Sequence, residues 1–205
     1  MNDLFVCPSL DDLIRLLRAW RFWVLGGLLG ALLGAVMYAI LPPRHFARAT
    51  VNVDFNLEQA WPQETDRQHF YYLERETRKL EEIAWSDRIM DQLSLEFKIP
   101  PAELRGEVLQ LSQPAEAGWH FYAEHEDPQI AGALASAWAE AFTLRVQEQI
   151  ESGGVNEFVR VETTQSAHLP TERRIPLGNY LLAGSMGLLT LAAFVVLFMN
   201  PRKFR

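Results

Sequence analysis

The chain has a single cysteine among 205 residues, Cys7, so an internal disulfide and any multi-cysteine zinc site are excluded. No apolar stretch precedes Cys7, which makes it a poor lipoprotein anchor and leaves it as a buried or interfacial thiol. Lys and Arg number 19 against 26 Asp and Glu and are scattered rather than clustered, which rules out a nucleic-acid footprint. A glycine-rich phosphate loop, a nucleophile elbow, an internal repeat and a low-complexity tract are all missing, and no Ser or Asp is paired with a base in a catalytic motif. These absences point away from an enzyme and give no reason to expect a cofactor.

What the chain does have is two long runs without charge. Leu177 to Met199 holds twenty-three such residues. At roughly 1.5 Å per helical residue it reaches about 34 Å, enough to cross a hydrocarbon core of about 30 Å with some tilt. Phe22 to Leu41 is the second run, ended by Pro42-Pro43. It is too long for a signal-peptide core and lacks a small-x-small exit, so a retained anchor is favoured over a cleaved leader. Trp20 and Trp23 suit one membrane interface and Tyr38 the other.

Arg15, Arg18 and Arg21 precede the first span, and Arg202, Lys203 and Arg205 follow the second, which places both termini in the cytoplasm by the positive-inside rule. Residues 1–21 are then a cytoplasmic amphipathic segment lying on membrane lipid, with Ser9 as helix cap, and 200–205 a cytoplasmic basic tail. The loop 42–176 becomes extracytoplasmic. From Arg44 to Pro176 it carries 23 Asp and Glu against 13 Lys and Arg, a net of −10. Gly26, Gly30 and Gly34 recur every four residues and line one helix face, suited to close packing on the second span through Ala183 and Gly187, or on a neighbouring subunit.

Within the loop, Ala49, Val51, Val53 and Phe55 alternate with polar residues as in a half-buried strand. The stretch 56–65, with Trp61-Pro62, reads as a loop. Apolar spacing of three and four through Phe70, Leu73, Leu80, Ile83 and Ala84, then Ile89, Met90, Leu93 and Phe97, predicts two helices, the second capped at Ser86-Asp87. The charge-dense residues 74–82 read as a solvated face. Leu104–Ser112 and Trp119–Glu124 predict an antiparallel strand pair, Asp127-Pro128 opens a long alanine-rich helix, Ser152-Gly153-Gly154 breaks it, and Val155, Phe158 and Val161 predict a last strand. Pro170 and Pro176 make the approach to the second span an extended connector. The expected fold class is α+β, a small sheet with helices on one face, flanked by two transmembrane helices.

His120, Glu124 and His125 are the one cluster that invites a metal reading, but strand alternation sends His125 to the opposite face, so no metal site is expected. His45, His69 and His168 stand apart from one another. Arg44, Arg48, Arg67 and Arg105 are candidate contacts between subunits.

Three stretches together resemble the chain-length determinant family, the Wzz-type polysaccharide co-polymerases. They are the Arg-rich approach, Gly-rich span, Pro-Pro exit and strand from Arg15 to Asp54; the acidic Asp-Pro turn into an alanine-rich helix from Glu126 to Phe142; and the segment around Ala167-His168-Leu169-Pro170 with Pro176. Two features depart from that family. Ser152-Gly153-Gly154 closes the place of its long helical hairpin, and Arg173 stands where its middle proline would be. The resemblance implies an inner-membrane, ring-forming homo-oligomer that regulates lipopolysaccharide or exopolysaccharide polymerisation beside a polysaccharide polymerase or exporter. Two other expectations are weighed beside it. One is an adaptor whose cytoplasmic ends engage a tyrosine kinase; the other is a glycan-binding module using Trp61, Trp119 or Tyr122.

Overall fold

A computed structural model describes residues 14, 18–56, 66–113, 118–165, 167 and 172–198, and side chains within these except at 66–69, 165, 172 and 197–198. Cys7, the Ser9 cap, the Trp61 loop, His168, Pro170 and the basic tail lie outside the described residues, as do the side chains of Arg67 and His69. The chain forms two units, an apolar helix pair and a domain from Arg44 to Arg174.

The helix pair consists of α1 (Trp20–Ile40) and α5 (Leu177–Phe198), both long and apolar enough to cross a membrane. Leucines cover their outer surfaces, and in α1 only Gly30 and Gly34 are buried.

The domain begins with β1 (His45–Asp54), in which Ala47, Ala49, Val51 and Val53 are buried while Arg48 and Asp54 face out. Two helices follow, α2 (Asp66–Ala84) and α3 (Asp87–Phe97). Ser86 occupies the cap position of α3 with extended backbone, yet its buried hydroxyl makes no hydrogen bond. Lys98, left-handed at φ 58°, closes α3.

The predicted strand from Leu104 is corrected here. Pro101–Glu103 starts a helical turn that widens through Leu104–Val108, and only Leu109–Ser112 forms β2. Leu104 and Val108 are both buried, four apart, while Arg105 and Glu107 are exposed, a helical rather than an alternating pattern. Next come β3 (Trp119–His125) and α4 (Pro128–Glu151). Asp127 caps α4 by accepting from the Gln129 amide at 2.8 Å, with Pro128 in the first turn.

The final strand is also shorter than its sequence predicts. β4 runs Arg160–Gln165, and residues 155–159 form a turn. Asn156 causes this: its side-chain oxygen accepts from the Phe158 amide at 2.9 Å and its carbonyl from Val159 at 3.1 Å, which gives the backbone a local alternative to the ladder. A two-residue strand, β5 (Glu172–Arg173), completes the sheet.

All pairings are antiparallel in the order β2-β3-β1-β4, with β5 on the same side of β1 as β4 but farther along it. The long α4 packs on β1, β3 and β4. Its small residues Ala131, Ala135 and Ala139 allow close approach, and Trp138 and Phe142 fill the space beside them. Trp138 lies 4.9 Å from both Phe121 and Trp85, while Phe142 stacks on Trp119 at 5.5 Å. The indole N–H of Trp138 donates to the Ala84 carbonyl at 2.9 Å, so the largest core side chain has its one donor satisfied.

Candidate functional site

Three groups of residues could carry function: the seam between the two apolar helices, the arginines of the domain, and the side of the sheet turned away from α4. In the seam, α1 presents Gly26, Gly30 and Gly34. A Cβ added to Gly30 would collide with the carbonyl of Gly184 and come within 2.6 Å of the Ser185 Cα; one added to Gly34 would collide with the Tyr180 carbonyl. The two backbones therefore touch, which only glycine permits. Ser185 Oγ donates to the Gly27 carbonyl at 3.1 Å, and Tyr38 meets Tyr180 edge-on at 5.4 Å.

On α5 the opposing residues are Tyr180, Gly184, Leu188 and Ala192, a step-of-four row. Ala183 and Gly187, expected to fill this role, lie one position off that row, a turn of about 100° on a helix. Both are exposed, and Gly187 has no heavy atom within 4 Å of an added Cβ.

The arginines divide. Arg44 lies 3.9 Å from Glu107. Arg105 donates to the Trp85 carbonyl at 3.0 Å and pairs with Asp87, so it ties the wide turn to the start of α3 and is engaged within its own domain. Arg48 is exposed, and the Arg67 side chain lies outside the described residues. Pro176 accepts from the Asn179 amide at 3.0 Å and so opens the first turn of α5.

The outer side of the sheet carries the even-numbered residues of β1 and β3. Phe46 and Tyr122 stack at 4.6 Å, and Thr50 Oγ1 lies 3.1 Å from His120 Nδ1. Burial, and secondarily the Arg48 charge, lower the His120 pKa from its ordinary 6.5. Glu124, only 8% exposed, receives Arg174 Nη1 at 2.8 and 3.0 Å on its two oxygens. His125, opposite His45 in the ladder, points to the other face, where its Nδ1 accepts from the Asp127 amide at 3.0 Å. Among the described residues no three His, Cys, Asp or Glu side chains converge on a point. Trp119 is buried against Phe142 and belongs to the core, so it cannot offer its face to a sugar.

One buried site was hidden in the charge-dense helix. Residues 74–82 are not uniformly solvated, because Glu76 is fully buried. Its carboxylate takes Arg75 Nε at 3.1 Å, Lys79 Nζ at 3.1 Å and the Asn156 amide at 3.4 Å, and Lys79 also donates to the Gly154 carbonyl at 3.0 Å. This cluster joins α2 to the turn after α4. Beside it, burial and then the Glu76 charge push the Tyr72 hydroxyl up to about 12. The signal was present in sequence: Tyr72, Glu76, Leu80 and Ala84 fall four apart, on one stripe. Phe70, expected inside, is 63% exposed.

No protein-family model matches the chain, and no curated protein matches it either.

Proposed function

We propose that the protein is a non-enzymatic oligomeric scaffold of the bacterial inner membrane that regulates polysaccharide polymerisation or export, in the manner of a chain-length determinant. The observation that carries this reading is the insertion of one α+β domain between two apolar helices that pack backbone to backbone through Gly30 and Gly184. Such a pair gives a domain two anchors that behave as one. In this reading both termini are cytoplasmic, the acidic domain is extracytoplasmic, and copies assemble side by side next to a polymerase or exporter.

Deleting the gene in its host and separating the surface glycans by size tests the proposal. A changed length distribution, restored by the intact gene, is the expected result. An unchanged distribution together with unchanged export contradicts it. An adaptor role toward a tyrosine kinase would act through residues 1–21 and 201–205, and altered kinase phosphorylation with normal glycan lengths would favour that role instead.

A further inference from the structure

We propose that Arg174 is a latch that straddles β1 and holds together the two points where the chain leaves the domain. Three contacts build it. The Arg174 amide donates to the Arg44 carbonyl at 3.1 Å; Glu172 and Arg173 pair with Phe46 and His45; and the Arg174 guanidinium reaches over β1 to Glu124 on β3. β3 and β5 flank β1 on opposite sides, so the side chain spans three strands.

The latch can be opened because β5 is only two residues long. A strand of two residues has too few ladder bonds to hold on its own, so its pairing depends on the charged contact. The contact is also asymmetric, with the arginine side chain 61% exposed and the glutamate side chain 10%. Arginine can move into water at little desolvation cost, whereas the carboxylate stays behind in a buried position and draws the arginine back. Closed, the latch fixes Arg44 and Arg174 side by side; open, the two exits can part while β1 keeps its longer ladder to β3. An external anion that competes for the guanidinium would open it.

Amide hydrogen exchange on the full-length protein in detergent tests the latch, using Glu124→Gln and Arg174→Gln. Arg174→Gln alters an exposed side chain and so retains the fold if the glutamine at 124 does not. Protection at Glu172 and Arg174, whose amides face β1, is expected to fall about ten- to a hundredfold, the worth of a charge-assisted hydrogen bond, while amides at Ala49 and Phe121 stay protected. Arg174→Lys, which keeps the charge, should restore part of the protection. Unchanged protection at 172 and 174 in the variant that folds would overturn the proposal, and so would an equal loss at Ala49 and Phe121, which would make Glu124 merely part of the core.

Discussion

The helix pair and the domain solve the same problem, holding elements together, by opposite means. The domain fills its interior with the largest side chains available, Trp138, Phe121 and Phe142, all fully buried. The helix pair removes side chains instead, bringing Gly30 against Gly184 until the backbones touch. Solvent explains the difference. In water, burial of an aromatic side chain removes apolar surface and stabilises the fold. Both helices of the pair are long and apolar enough to cross a membrane, and between lipid tails that gain vanishes; what remains is close van der Waals contact and hydrogen bonding, which small residues favour. The two regions should therefore fail under opposite kinds of substitution.

The largest effect is expected from adding bulk to the seam. Gly30→Leu cannot be relieved by rotating a side chain, because the atom it meets is the backbone carbonyl of Gly184. In a Cys7→Ser background, disulfide cross-linking between Tyr38→Cys and Tyr180→Cys should be largely lost with Gly30→Leu and retained with Gly187→Leu. Equal cross-linking in both would mean the seam is misplaced.

Removing bulk from the domain comes next. Trp138→Ala should destabilise the domain by about 3–5 kcal/mol, read from denaturant unfolding, while leaving the helix cross-link intact. A smaller loss is expected at the buried carboxylate. Glu76→Gln leaves Lys79 and Arg75 without a charged acceptor, but both cations reach water, so about 1–3 kcal/mol is expected in the same assay. A loss as large as that of Trp138→Ala would assign α2 to the core on equal terms with α4.

The smallest effect is one of pH. The His120 pKa is lowered in the folded state, so the unfolded chain binds the proton more readily. Stability is then full above the ordinary value of 6.5 and falls as pH drops through the window between that value and the lower folded one. Melting temperature should decline over that window in the parent and decline less in His120→Gln. A flat profile in the parent would remove His120 from the account.

The same contrast explains which parts of the structure were legible in the sequence. The glycine row of α1 could be read because a repeat of four is a strong helical signal, but the opposing face of α5 offered two rows, Ala183-Gly187 and Tyr180-Gly184-Leu188-Ala192. Composition favoured the first, while only contact selects the second. The alternation of β1 and the Asp127-Pro128 start of α4 were legible for the same reason, since each is dictated locally. Where side chains compete with the backbone, legibility failed. Asn156 turns a stretch of strand-forming residues, and Leu104 with Val108 draws another into a helical turn. For β5 the prolines signalled extended backbone but not pairing, because its partner β1 and the Glu124 that receives Arg174 both lie far away in sequence. Glu76 was misread because charge outweighed its place on an apolar stripe.

The central claim, an oligomeric scaffold anchored by a paired helix seam, rests most directly on the mass of the purified full-length protein in mild detergent. The account predicts a discrete multiple of the 23.5 kDa chain, retained on dilution. A species that remains monomeric across the accessible concentration range would contradict it.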